Sequence, residues 1–160
     1  MRTLLMGLIS AAALAVDQVS KRLIEGTIEP YTSVNVLSNF DLVHTSNRGM
    51  SFGLFASDSP FSPYILSFIG LCIIVFLGVW AFRSDSAVQR AALALIIGGA
   101  ASNVLDRLDD GAVTDFLDFY IGAYHWPAFN LADAAIVCGV AALLLETSLP
   151  PAFRKKEHTR

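Results

Sequence analysis

Four long apolar runs, separated by more polar stretches, dominate the pattern of this chain. They lie near residues 4–24, 63–82, 88–107 and 130–149. An α-helix rises about 1.5 Å per residue, so roughly 20 apolar residues span the hydrocarbon core of a bilayer. The pattern therefore predicts an α-helical integral membrane protein with four transmembrane helices.

The first run has a second interpretation. Arg2, the apolar stretch 4–16 and the Ala-Leu-Ala sequence at 13–15 also resemble a signal peptide with its cleavage site. However, the apolar pattern continues beyond that point, and Asp17 and Lys21 follow one helical turn apart, where each offsets the burial of the other. We therefore expect the first helix to be retained.

Two segments between the runs do not span the membrane. Residues 25–62 alternate partly between apolar and polar positions and contain turn residues, which predicts a small β-sheet element on the membrane surface. Residues 108–129 carry aromatic side chains of the kind that line the membrane–water interface. We also expect a short helix in these outer segments.

Lysine and arginine residues predict the orientation of the helices, because they accumulate on the cytoplasmic side. The basic residues that would lie inside are Arg2, Arg83, Arg90, Arg154, Lys155, Lys156 and Arg160, and those that would lie outside are Lys21, Arg22, Arg48 and Arg107. Both termini are therefore expected inside, with residues 150–160 as a cytoplasmic tail and both outer segments on the opposite side.

Composition supports one membrane-embedded domain over residues 1–160. The chain is 54% hydrophobic and only 16% charged, whereas soluble domains are about a quarter charged. The net charge of -3 provides no basic surface for nucleic acid and excludes that class of partner. Cys72 and Cys138 lie within apolar runs without metal-ligand spacing, so we expect both to be buried packing residues.

The unusual polar residues converge on the outer ends of the predicted helices. They are Asp17, Lys21, Asn47, Gly49, Asn103, Asp106, Arg107, Asp115, Asn130 and Asp133. Ionisable groups near hydrocarbon each cost a few kcal/mol and by default indicate a functional site. The inner halves of the helices contain little that is comparable, so the pattern predicts one polar site at the outer surface.

Asp133 has two interpretations. With Asn130 as N-cap, it occupies the position of a capping-box acid at the start of the fourth helix. A tight return of the chain would also bring Asp115 beside it, and two close carboxylates share a proton and act as acid and base together. The helix dipole favours a charge on Asp133, while burial and Asp115 oppose it.

Other chemistries have weaker support. His44 and His125 lack metal-ligand spacing, so we expect neither a metal site nor a cofactor. An ion-coupled transporter using Asp17, Asp106 and Asp133 would need polar residues through the inner half of the bundle, and these are largely absent. A non-catalytic membrane scaffold would leave both aspartates of the pair replaceable.

Five blocks of the sequence resemble the signature blocks of bacterial lipoprotein signal peptidase (signal peptidase II). They are "DQVSK" at 17–21, "NRGMSFGLF" at 47–55, "GGAASNVLDR" at 98–107, "GAVTDFLDF" at 111–119 and "WPAFNLADAAI" at 126–136. The resemblance implies a four-helix aspartyl endopeptidase of the bacterial inner membrane, with a small periplasmic sheet. Such an enzyme removes signal peptides from diacylglyceryl-modified prolipoproteins, cleaving before the lipidated cysteine, at the periplasmic side.

The resemblance also implies roles for individual residues. Asp115 and Asp133 would be the catalytic pair, and the supporting residues would be Asn47, Gly49, Asn103, Arg107, Asn130, Asp17 and Lys21. The implied partners are prolipoprotein substrates and the lipid bilayer, with the enzyme as a monomer. The chain departs from the family pattern at Met50, Ser51 and Thr114, which would affect fine specificity only.

Overall fold

The computed structural model describes residues 2–49 and 59–148. Its four long helices are α1 (Arg2–Thr27), α2 (Ser62–Arg83), α3 (Ala87–Asp109) and α4 (Leu131–Ser148). Each is long and apolar enough to cross a membrane. The four predicted helices are therefore confirmed, and most extend a few residues beyond the predicted runs. The expected tail, residues 150–160, lies outside the described residues.

Helix α3 lies at the centre of the bundle and packs against the other three helices. Small residues allow this close approach: a Cβ atom added to Gly99 would lie 2.5 Å from the carbonyl oxygen of Ala132 in α4. A Cβ atom added to Gly98 would lie similarly close to the carbonyl oxygen of Ser10 in α1. The small residues of "GGAAS" at 98–102 thus allow close packing of the helices.

Large apolar side chains cover the outward surfaces of the bundle, which is the reverse of a soluble protein. Leu5 of α1, Phe68 of α2 and Leu144 of α4 are all exposed. Cys72 and Cys138 are exposed as well, so the expectation that they are buried was wrong. The reason is that an apolar helix surface in a membrane protein contacts lipid as readily as protein.

An antiparallel sheet covers one end of the bundle. Its strands, in spatial order, are β1 (Ser33–Leu37), β2 (Phe40–Asn47), β3 (Val113–Ile121) and β4 (Tyr124–His125). The predicted sheet is confirmed, but half of its strands come from the second outer segment, where none was predicted.

The expected short outer helix is absent from the described parts of the outer segments, which are residues 28–49, 59–61 and 110–130. In the second segment, Val113–Ile121 and Tyr124–His125 form strands instead. Pairing with β2 satisfies the backbone groups of β3 along its length, which a single exposed helical turn would not do.

A small apolar cluster fixes the sheet to the bundle. Ile24 and Ile28, at the end of α1, pack with Phe116 of β3. We call this end of the bundle the sheet end; there α1 and α3 finish while α2 and α4 begin. A second cluster, around Leu93 and Ile96 of α3, fills the other half of the bundle.

Candidate active site

Asp115 and Asp133 lie on different elements that meet at the sheet end. Asp115 is on β3, where it pairs with Thr45 of β2, and Asp133 is in the first turn of α4. The chain returns tightly between them, because the backbone N–H groups of Phe116 and Leu117 both donate to the carbonyl oxygen of Phe129. The return predicted from the sequence is therefore present.

One side chain links the two aspartates. Asn130 Nδ2 donates to Asp115 Oδ1 at 2.6 Å, and Asn130 Oδ1 accepts a hydrogen bond from the Asp133 backbone N–H at 2.9 Å. Asn130 is completely buried, so neither contact competes with water. The second contact is the N-cap of α4, as predicted.

Burial dominates the electrostatics of Asp115, whose side chain is almost inaccessible. Desolvation has the largest effect and raises its pKa, and the charge of Asp133 raises the pKa further. The hydrogen bonds from Asn47 and Asn130 and the charge of Lys21 lower the pKa. The balance brings the pKa of Asp115 to about 6. A carboxyl group with this pKa keeps its proton under mildly acidic conditions.

Asn47 connects Asp115 to the end of β2. Its Nδ2 donates to Asp115 Oδ2 at 2.9 Å, while its Oδ1 accepts a hydrogen bond from the Gly49 backbone N–H. Arg107 of α3 then donates to the carbonyl oxygen of Gly49 at 2.9 Å and to that of Asn103 at 3.0 Å. The predicted residues Asn47, Gly49 and Arg107 thus form one connected layer beside the aspartate.

Asp133 receives its own amide donor from α3. Asn103 Nδ2 donates to Asp133 Oδ1 at 2.9 Å. Each aspartate of the pair therefore accepts hydrogen bonds from asparagine side chains, which orient the carboxyl groups without adding charge.

A buried ionic cluster lies beneath this pair. Lys21 Nζ is 2.5 Å from Asp17 Oδ2 and 2.6 Å from Asp106 Oδ2, so the predicted pairing of Asp17 with Lys21 is confirmed. Asp17 Oδ1 also accepts the Ala132 backbone N–H at 2.8 Å. An acid on α1 thereby satisfies a free N–H group in the first turn of α4.

Both aspartates line a cavity of about 1220 Å³ that opens at the sheet end. Its lining residues are Tyr31, Thr45, Ser46, Asn47, Arg48, Gly49, Asp115, Trp126, Pro127, Ala128, Phe129, Asp133, Ala134, Val137 and Cys138. The lining residues from β2 are polar, whereas those from α4 and the chain before it are mostly apolar apart from Asp133. This volume exceeds that of most small-molecule sites, which hold about 300–1000 Å³, and suits an extended chain.

Some residues around the site were not predicted from the sequence. Ser102 donates to Asp17 Oδ2 at 2.7 Å, and Gln18 Nε2 donates to Asp106 Oδ1 at 2.5 Å. Both contacts join α1 to α3, and only their shared helix faces could have indicated them. Thr114, one of the positions that depart from the family pattern, donates a hydrogen bond to Glu25 of α1 at 2.6 Å. Met50 and Ser51 lie outside the described residues.

Comparisons with known proteins agree over most of the chain. A model of the family described as signal peptidase (SPase) II matches residues 9–149. The lipoprotein signal peptidase of Geobacter sulfurreducens is 44% identical over 140 residues, which cover 84% of this chain and 85% of that protein. The lipoprotein signal peptidase of Desulforapulum autotrophicum is 40% identical over 146 residues, covering 86% and 87%.

A solved structure gives the same result at the level of the fold. It is described as a bacterial membrane enzyme determined by the in meso method, and it is 29% identical to this chain. The similarity covers 89% of each chain with a TM-score of 0.77. Both the helices and the sheet therefore belong to an architecture already known from a membrane enzyme.

Proposed function

The chain belongs to the signal peptidase II family, and on that premise we propose that Asp115 and Asp133 are its catalytic pair. It is an aspartic-type membrane endopeptidase that removes signal peptides from diacylglyceryl-modified prolipoproteins, cleaving before the lipidated cysteine. The observation that carries the proposal is the bridge by Asn130, which holds both aspartates at the wall of one cavity.

The chemistry follows from a pair that holds one proton. With Asp133 ionised, its carboxylate removes a proton from water, and the water oxygen attacks the scissile carbonyl carbon. Asp115 gives its proton to the carbonyl oxygen, which forms a neutral tetrahedral intermediate. When the C–N bond breaks, Asp133 returns its proton to the amine and Asp115 recovers the hydroxyl proton, so the pair is regenerated.

The resting proton belongs to Asp115 in this scheme. Burial raises the pKa of Asp115 to about 6, whereas the helix dipole at the start of α4 favours a negative charge on Asp133. Because the two groups interact, the pair titrates as a unit, and the active form carries one proton between them.

The walls of the cavity suggest how the substrate binds. The peptide would lie along the polar wall formed by β2, where Thr45, Asn47 and Gly49 lie beside Asp115. The acyl chains of the modified cysteine would extend along Val137 and Cys138, which line the cavity and are exposed on α4. Water reaches the dyad from the sheet end while the lipid part of the substrate stays in the bilayer.

We extend the proposal to placement in the cell and to oligomeric state. The chain would span the bacterial inner membrane with both termini in the cytoplasm and the sheet end in the periplasm, in accord with the distribution of its basic residues. It would act as a monomer, because Asp115, Asp133 and the side chains that orient them all come from one chain.

The experiment compares cleavage of a diacylglyceryl-modified precursor by Asp115→Asn, Asp133→Asn and a matched control, Asp118→Asn. Asp118 lies on the same strand and is buried, but it pairs with His125 at 2.7 Å and does not line the cavity. We expect the first two variants to lose roughly 1000-fold or more in kcat, and the control to stay within a few-fold of the parent enzyme. Normal cleavage by a folded Asp115→Asn or Asp133→Asn variant would refute the pair.

A further inference from the structure

The ammonium group of Lys21 is surrounded by three oxygen atoms from three different residues. Asp17 Oδ2 lies at 2.5 Å, Asp106 Oδ2 at 2.6 Å and Asn103 Oδ1 at 3.0 Å. The ammonium donates a hydrogen bond to Asn103 Oδ1, and the two carboxylate oxygens are its ion-pair partners. Lys21 is 2% exposed, and the group is therefore held in one arrangement.

Asn103 is the member of this set that reaches the active site. The oxygen end of its amide receives the hydrogen bond from Lys21, and the nitrogen end donates to Asp133 Oδ1 at 2.9 Å. An amide turned the other way would present its oxygen to the Asp133 carboxylate and its N–H groups to the ammonium. Both of those contacts would be repulsive.

We propose that Lys21 is a positioning residue for Asp133 and acts through Asn103. The ammonium selects the orientation of the amide, so that the nitrogen end stays on the catalytic carboxylate through the reaction. The inference rests on the proposed function of Asp133, and it gives Lys21 a role separate from its ion pairs with Asp17 and Asp106.

A purely structural role for Lys21 predicts something different. If the lysine served only to neutralise Asp17 and Asp106, its loss would reduce the stability of the fold, and the effect on turnover would be independent of Asn103. The charge of Lys21 also lowers the pKa of Asp115, so kcat is compared at the optimum of each variant's own pH profile. If Lys21 acts through Asn103, its effect on this kcat disappears once Asn103 has no amide to orient. A double-mutant cycle separates the two cases.

The cycle consists of the intact enzyme, Lys21→Met, Asn103→Ala and the double variant, assayed for kcat and KM on a diacylglyceryl-modified precursor. Loss of a hydrogen bond to a charged group should lower kcat by about 10- to 100-fold in each single variant, with little change in KM. We expect the double variant to have a kcat within about twofold of Asn103→Ala. If the fold-losses in kcat of the two single variants multiply in the double variant, the proposal is overturned.

Lys21→Met leaves two buried carboxylates without their cation, which threatens folding. The cycle is therefore repeated with Asp106→Asn as the parent, because Lys21→Met then removes a positive charge where a negative one is already gone. Asp106→Asn alone keeps Lys21 on Asn103, so we expect it to retain kcat within about threefold. Multiplying losses in this background would equally refute the proposal.

The outcome is distinguishable from failure of the catalytic pair. If Asp133→Asn cleaves normally, the pair and this inference fall together. If Asp133→Asn is inactive but the cycle is multiplicative, the pair stands and only the role of Lys21 is wrong.

Discussion

Asn130 binds two neighbours with the two ends of one amide. Its oxygen caps the first turn of α4 at Asp133, and its nitrogen donates to Asp115. The capping interpretation of this position is confirmed, and it does not compete with the proposed catalytic role. The residue that begins the helix is also the one that brings the two carboxyl groups to the same place.

Asn130→Ser separates the two contacts. Serine caps helices as well as asparagine does, but it has no amide nitrogen to donate to Asp115. We expect the melting temperature of the detergent-solubilised variant to fall by only a few degrees, while kcat falls about tenfold or more. Asn39→Ser, at an exposed turn of the sheet, is the control for general effects. An unchanged kcat would contradict the proposed contact.

The pH dependence of activity depends on Asp115. With a pKa of about 6, Asp115 loses its proton as the pH rises through this value, and the pair then carries two negative charges. We therefore expect kcat/KM of the free enzyme to fall above pH 6. The hydrogen bond from Asn47 favours the ionised form of Asp115. Asn47→Ala should therefore raise the pKa of Asp115 and shift the fall in kcat/KM to higher pH.

The measurement is the pH profile of kcat/KM for the parent enzyme and Asn47→Ala. Asn35→Ala is the matched control, because Asn35 is exposed on β1 and donates to Asp41 instead. If the fall in kcat/KM occurs at the same pH or at lower pH in Asn47→Ala, Asp115 is excluded as the group that holds the proton.

At the scale of elements, two helices fix the first turn of α4. α1 supplies Asp17, which accepts the Ala132 backbone N–H. α3 supplies Gly99, where a side chain would touch the Ala132 carbonyl oxygen. Asp133 is the next residue, so its position depends on how closely α3 and α4 approach.

Gly99→Ala tests this dependence. The added Cβ atom would lie 2.5 Å from the Ala132 carbonyl oxygen, and the first turn of α4 must shift to accommodate it. We expect about a tenfold loss of kcat or more, because small displacements of catalytic groups are costly. Overpacking should also cost roughly 1–3 kcal/mol of stability.

Gly78→Ala is the matched control, because nothing lies within 4 Å of a Cβ atom at that position of α2. Replacing glycine within a helix should leave activity unchanged and stabilise the protein by about 0.5–1 kcal/mol. Equal activity of the two variants would show that α4 does not need this close packing.

At the scale of the whole molecule, the sequence revealed most of the architecture because apolar runs report directly on transmembrane helices. The convergence of polar residues at one end also followed from the helix limits and the alternating direction of the chain. Strand β3 was missed because Asp115 and Asp118 occupy buried positions. Acidic residues there break the apolar–polar alternation by which a strand is recognised.

The contacts within the site were less accessible to sequence reasoning. Lys21 and Asn103 are 82 positions apart, and their contact depends on how α1 and α3 are rotated about their axes. That rotation is set by packing at positions such as Gly98 and not by the length of the apolar runs. The i,i+4 pair of Asp17 and Lys21 was predictable because one helix contains both residues.

The orientation in the membrane gives a prediction for the whole chain. Tyr124→Cys at the sheet end and Asp85→Cys between α2 and α3 are both at exposed positions, in a background with Cys72 and Cys138 replaced by serine. A membrane-impermeant maleimide should label Tyr124→Cys in intact spheroplasts and Asp85→Cys only after permeabilisation. The opposite labelling pattern would reverse the proposed topology.

The most direct test of the catalytic pair is the single-turnover rate of Asp115→Asn, Asp133→Asn and the double variant on a diacylglyceryl-modified precursor. Groups that act as a unit show strongly non-additive losses. We predict that each single variant loses roughly 1000-fold or more and that the double variant is no slower than the worse single one. Substantial activity in either folded single variant, or losses that multiply in the double variant, would show that Asp115 and Asp133 are not a catalytic pair.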